Sequence, residues 1–97
     1  MPTALMEKCH RKGIRMTSQR QVIVSVIGDS EDHPDVDELY RRSVHEDNTI
    51  SIATVYRTVK LLEEAGVIER LEFGDGRARY EEAGEHHEHL VDVETGE

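Results

Sequence analysis

The chain has no tryptophan and a single phenylalanine, so aliphatic side chains must carry whatever core its 97 residues build. It has one cysteine, Cys9. A lone thiol closes no internal disulfide and makes no zinc site by itself. A chain without a disulfide framework suits a reducing compartment, and Cys9 is expected as a small buried apolar residue on the first helix. No apolar run approaches the length of a membrane span, and the first residues lack a signal-peptide pattern. These absences predict a cytoplasmic chain with no membrane partner, of a size for one domain.

Basic residues are scarce, with 12 Lys and Arg against 21 Asp and Glu, for a net charge of −9. A nucleic-acid binder usually carries a basic footprint, so the bulk figure argues against one. The distribution changes that. Residues 1–20 hold five bases and one acid; residues 29–47 hold eight acids and two bases; residues 51–80 hold five of each; residues 81–97 hold seven acids and no base. Positive charge is concentrated at the start, and an acidic, His-rich segment lies at the other end.

What is present is periodic. Residues 3–12 read as a short amphipathic helix stopped by Gly13. Thr17 is placed to cap a second helix, with Val22, Ile23, Val26 and Ile27 at helical spacing and Gly28 as its stop. Asp35 caps a third, with Glu38 three residues on and Val36, Leu39, Tyr40 and Val44 as its apolar stripe. Ser51 caps a fourth. Ile50 and Val55 are spaced as a hydrophobic staple, and Ile52, Val55, Val59 and Leu62 fall on one face. The other face collects Ala53, Thr54, Arg57, Lys60 and Glu64, with Tyr56 on its flank, and Gly66 ends the helix. Residues 67–73 and 77–81 are two strand candidates joined by Gly-Asp-Gly, a strong hairpin turn. Residues 86–90 alternate like a third strand.

Helices followed by a tight hairpin make a mainly α winged helix-turn-helix. In such folds the second helix of the turn enters the major groove of duplex DNA by its leading end. Arg57 suits guanine edges or phosphate, and Tyr56 and Thr54 suit a thymine methyl or phosphate. Ser51 sets a helix N-terminus near the backbone. Arg77, at the hairpin tip, is placed for the flanking sugar-phosphate strand. The alternative is a winged helix that binds protein and not DNA, since the fold alone does not decide.

Three of six histidines lie in "HHEH". On a strand, His87 and His89 share one face, and His86 and Glu88 the other. Imidazole and carboxylate suit Zn, Fe, Mn or Co. Two ligands are too few, and His33 and Glu81 are the nearest recruits. The bland alternative is a solvated acidic tail. A zinc hydrolase with Glu88 as base is disfavoured, because nothing encloses the pocket such a centre needs.

The strings "RMTSQRQVI" (15–23), "HPDVDELYRR" (33–42), "SIATVYRTVKLLEEAG" (51–66), "FGDGRARYE" (73–81) and "HHEHL" (86–90) span nearly the whole chain in order. Together they resemble the DNA-binding domain of the ferric uptake regulator family, near its iron and manganese branches. The resemblance implies a metal-responsive repressor of metal-uptake genes, not an enzyme, acting as a homodimer on an AT-rich inverted repeat in double-stranded DNA. It puts Arg15 at a minor-groove position, Arg20 at a backbone contact, and Ser51, Thr54, Tyr56 and Arg57 at major-groove positions. It puts His33, Glu81, His87 and His89 at the regulatory site for Fe(II) or Mn(II), with Zn(II) as a surrogate, and His86 and Glu88 at a second, incomplete set. Peroxide-sensing members carry Asp where this chain has Glu81, which speaks against that branch; zinc- and haem-responsive branches stay open. The family continues into a second, dimerising domain. Residues 1–82 are therefore expected as the winged helix and 83–97 as a hinge and first strand of that domain, with weak or no metal binding and a monomeric state for residues 1–97 alone.

Overall fold

The computed structural model describes residues 4–30, 32–72, 74, 76 and 78–83. Four helices, α1 (Ala4–Arg11), α2 (Ser18–Asp29), α3 (Val36–Glu46) and α4 (Ile52–Glu64), precede an antiparallel hairpin of β1 (Ile68–Glu72) and β2 (Ala78–Glu82). This is the winged helix-turn-helix expected. The third strand expected at 86–90 lies outside the described residues, as does the hairpin-tip residue Arg77.

Local chemistry starts and stops the helices. The side chains of Thr17, Asp35 and Ser51 accept the backbone N–H of Arg20, Glu38 and Thr54, at 3.2, 2.9 and 3.1 Å. Each satisfies a donor that the first helical turn leaves orphaned. At the end of α4, Gly66 has φ of +80°. Its N–H reaches Glu63 O at 3.0 Å, and the Val67 N–H reaches Leu62 O at 3.1 Å. These two bonds are a Schellman closure, with Val67 and Leu62 both buried beneath it. Gly13 closes α1 in the same way through the carbonyls of His10 and Cys9.

The core is aliphatic. Leu5, Cys9, Ile23, Val24, Leu39, Val55, Leu62 and Val67 are sealed from solvent, joined by Ile50, Val59, Ile68 and Tyr80. Each such aliphatic side chain contributes about 1.5–3 kcal/mol relative to exposure. Several details differ from the periodic reading. α2 does not stop at Gly28 but runs to Asp29, where the Ser30 N–H caps Ile27 O. Its sealed positions are Ile23, Val24 and Ile27, while Val22 and Val26 only lean on the core. On α3, Ser43 is fully buried and Tyr40 only partly. On α4, Ile52 is 38% exposed and Thr58 is buried. Ile52 is the first helical residue and projects beyond the core, whose place there is taken by Ile50. Each strand begins one residue later than expected, and β2 extends to Glu82.

Two backbone bonds fix the hairpin, one to the helical part and one within the sheet. Tyr80 N–H donates to Pro34 O at 3.1 Å, docking β2 on the α2–α3 loop. Ala83 N–H donates to Val67 O at 3.0 Å, closing the end of the sheet. The Lys8 ammonium adds a third tie from α1, donating to Ala83 O at 2.5 Å and pairing with Glu82 Oε2 at 3.1 Å.

Candidate nucleic-acid interface and metal-ligand pair

The turn before α4 and the turn before α2 are joined side to side. Gln19 Nε2 donates to Thr49 Oγ1 at 3.1 Å, and Thr49 Oγ1 in turn donates to Asp47 Oδ1 at 2.6 Å. That contact brings Arg15 and Arg20 to the same end of the molecule as Ser51. Arg20 is not idle in this arrangement. Its Nη1 donates to Arg15 O at 2.8 Å, so one guanidinium holds the backbone of the other basic residue. Gln21 Nε2 supports the same turn through Met16 O at 3.3 Å.

On α4, Ser51, Tyr56, Arg57 and Lys60 are exposed and Thr54 is half-buried. Tyr56 is 56% exposed, a large ring left facing solvent. The Ser51 and Thr54 hydroxyls lie 3.0 Å apart at the leading end of the helix. From Ser51 to Leu62 the helix carries two bases and no acid. A groove separates α4 from the hairpin, with Tyr56 and Arg57 on one wall and Arg70 and Tyr80 on the other. Burial, then the nearby Glu63 carboxylate, push the Tyr80 phenol above its ordinary value, so it stays a neutral wall. Arg70 was missed in the sequence, because its strand alternation puts it on the same face as buried Ile68.

The second constellation is small. His33, on the α2–α3 loop, places Nε2 2.8 Å from Glu81 Oε1 on β2, with both side chains about two-fifths exposed. They are 48 residues apart and meet because the Pro34–Tyr80 backbone bond docks the loop on the strand. A carboxylate only accepts, so Nε2 carries the ring proton whenever this pair forms. An imidazole nitrogen and a carboxylate oxygen at one accessible spot fit a borderline divalent metal. They are half the ligands of a tetrahedral site, and no group of three or more such side chains occurs among the described residues. His86, His87, Glu88 and His89 lie outside those residues. His10 and His45 are exposed. No helix among the described residues is long and apolar enough to cross a membrane.

The chain is similar to known proteins along most of its length. The pattern of the Ferric uptake regulator family matches residues 11–97. A ferric uptake regulation protein of Rhizobium leguminosarum bv. viciae is 62% identical over 93 residues, covering 95% of this chain and 66% of that protein. A manganese uptake regulator of known structure is 60% identical, with a TM-score of 0.78 over 88% of this chain and 62% of its own. A zinc-bound manganese uptake regulator gives 60% identity and a TM-score of 0.82 over 86% and 63%. The chain thus spans about two thirds of the length of the curated relatives it matches. Family pattern, sequence and backbone all match over most of the chain, and the chain belongs to the ferric uptake regulator family, whose members are transcriptional regulators and not enzymes.

Proposed function

We propose that residues 1–82 are the DNA-binding part of a cytoplasmic, metal-responsive repressor of metal-uptake genes, and that residues 83–97 lead into a dimerising domain. The observation that carries this reading is the joined basic end of the fold. Gln19 and Thr49 bring the Arg15–Arg20 turn beside the leading end of α4, where Tyr56 and Arg57 stand exposed. In this reading α4 enters the major groove of an AT-rich inverted repeat. Ser51 and Thr54 meet phosphate, Arg57 meets a guanine edge or phosphate, and Tyr56 meets a thymine methyl. Arg15 reaches the adjacent minor groove, Arg20 supports it, and Arg77 touches the flanking backbone. Two copies engage two half-sites, and the second contact raises affinity by its high effective concentration.

His33, Glu81, His87 and His89 would hold the regulatory cation, with His86 and Glu88 contributing to a second set. The metals suggested by the relatives' names are iron and manganese, and the zinc-bound neighbour supports Zn(II) as a surrogate. A bound divalent cation supplies a positive centre shared by imidazole and carboxylate. To hold it, His33 and Glu81 would exchange their mutual hydrogen bond for bonds to the cation. Metal favours DNA binding only to the extent that this arrangement binds metal better than any other. Imidazole must be neutral to ligate, so acid opposes the response.

The test is mobility-shift titration of an AT-rich inverted repeat with wild type, Arg57→Ala and Tyr56→Ala, at several salt concentrations with Mn(II) present. Loss of a base-edge contact should weaken binding by about 1–3 kcal/mol, roughly 5- to 150-fold. Equal retardation by all three proteins removes α4 as the reading element. Binding that ignores salt removes the phosphate contacts.

A further inference from the structure

We propose that Arg42 is a positioning residue for His33, locking the loop that carries the imidazole onto α3 and so setting the geometry with which His33 and Glu81 take a divalent cation. This rests on the metal reading given above.

Arg42 spends its planar fork on three partners. Nη1 and Nη2 donate to Asp32 Oδ1 and Oδ2 at 3.1 and 2.7 Å, a parallel two-bond grip. Nε donates to Glu38 Oε2 at 2.9 Å, and Nη1 also reaches Ser30 Oγ at 2.9 Å. Ser30 Oγ in turn donates to Val26 O at 2.7 Å, so the loop is fastened to the end of α2 as well. These bonds fix the chain at Ser30 and Asp32. On the other side of His33, Pro34 O receives the Tyr80 N–H, and Asp35 caps α3. His33 is thus the single residue between two anchored neighbours, Asp32 and Pro34, and its Cα has little room to shift.

Exposed ion pairs usually contribute little, and the exceptions are two-bond arginine–carboxylate grips and networks. Arg42 is both, with its side chain 33% exposed. Lysine could not reproduce it, having a point charge where the fork holds two oxygens at fixed spacing. The geometry has a consequence for the site. A metal requires His33 Nε2 at a defined distance and angle, and a partner that orients a ligand is commonly worth about 10- to 100-fold in metal affinity. Arg42 also keeps the Asp32 carboxylate occupied one residue from His33.

The experiment compares wild type, Arg42→Gln, Arg42→Lys, Asp32→Asn and His33→Ala in the full natural chain. Co(II) and Mn(II) affinities are measured by calorimetry, the Co(II) absorption spectrum at saturation, and thermal unfolding in chelator. The expected result is a Kd about 10-fold weaker for Arg42→Gln and Asp32→Asn. An Arg42→Gln/Asp32→Asn double variant, measured beside them, should be no weaker than Arg42→Gln alone, because the Asp32 grip is already lost there. The saturated Co(II) spectrum should match wild type, since the ligands are unchanged. Arg42→Lys should recover little of the affinity. Asp32→Asn removes the grip from its exposed side and keeps the test decisive if Arg42→Gln unfolds. Metal affinities within twofold of wild type for Asp32→Asn, with His33→Ala abolishing the site, overturn the role of Arg42 and leave the metal reading standing. Unchanged affinity in His33→Ala overturns both.

Discussion

Lys8 is a charged side chain only 8% exposed, and its removal tests how the end of the hairpin is held. Two replacements separate its stem from its charge. Lys8→Ala takes three buried methylenes out of the α1–hairpin contact, a loss of about 2.4 kcal/mol at about 0.8 each. It also removes the bonds to Ala83 O and Glu82 Oε2. Glu82 is 35% exposed and regains water when the ammonium leaves, so that part costs about 1 kcal/mol and not the full penalty of a stranded charge. The total is about 3–4 kcal/mol, a large share of the 5–15 kcal/mol typical of a domain. Lys8→Met keeps the stem and loses only the polar part, so it should cost about 1 kcal/mol. For a domain of this size 1 kcal/mol moves the melting temperature by about 4–8 °C, so the two variants should melt visibly apart. Thermal unfolding followed by circular dichroism measures both. If Lys8→Met is as damaging as Lys8→Ala, the stem is not what α1 contributes; if both melt like wild type, the tie is ornamental.

Gly66→Ala puts a Cβ where it meets nothing within 4 Å, so the change is purely conformational. The left-handed backbone should cost about 1–2 kcal/mol, less up to about 1 kcal/mol recovered from a stiffer unfolded chain; urea titration should place Asn between Gly and Ala in stability. Burial pushes the Cys9 thiol up, so native protein should resist alkylation near neutral pH and react fully in denaturant. The guanidiniums beside them, Arg42 for Asp32 and Arg41 then Arg42 for Glu38, hold both carboxyls below the usual carboxylate range. A depressed folded value gives stability that is present above the unfolded value of about 4 and is lost as pH falls through the folded one. Unfolding free energy should therefore drop below about pH 4, and Arg42→Gln should flatten that limb when urea titrations are repeated across pH.

The elements were legible where the chemistry that makes them is local. A hydroxyl or carboxylate three residues before a free N–H caps a helix wherever it occurs, so Thr17, Asp35 and Ser51 could be read directly. Gly13 and Gly66 are the same kind of signal at the other end. Burial was less legible. Ile52 has the right angle for the core face but sits at the tip of α4, beyond its neighbours, and periodicity carries no information about where a helix outruns its partners. Thr58 and Ser43 are buried although polar, which apolar spacing does not reveal. His33 and Glu81 were read together as recruits to one site, but the Pro34–Tyr80 backbone bond that makes them touch has no residue signature. The Lys8 tie and the Arg42 grip were invisible for the same reason: common charged residues acquire their role from what the fold places beside them.

The proposed interface has to work in a chain with net charge −9. Residues 8–20 hold five bases and no acid, and the stretch from Ser51 to Leu62 holds two bases and no acid. Lys8 is occupied at Glu82 Oε2, and Arg15 and Arg20 are the bases that the Gln19–Thr49 contact sets beside Ser51. At physiological ionic strength charges more than about 8 Å away are largely screened. Contact with DNA through the proposed interface would therefore be governed by this local face, with the acidic segments acting mainly on the approach. Steering weakens, so encounter should be slower than for a basic protein with the same contacts. Lower salt strengthens the phosphate contacts and also lengthens the reach of the acidic repulsion. The two effects oppose each other, which makes the salt dependence of binding shallower than the number of phosphate contacts alone would give. Weak long-range attraction would leave discrimination to the short-range contacts proposed for Tyr56 and Arg57 and to the proposed second half-site.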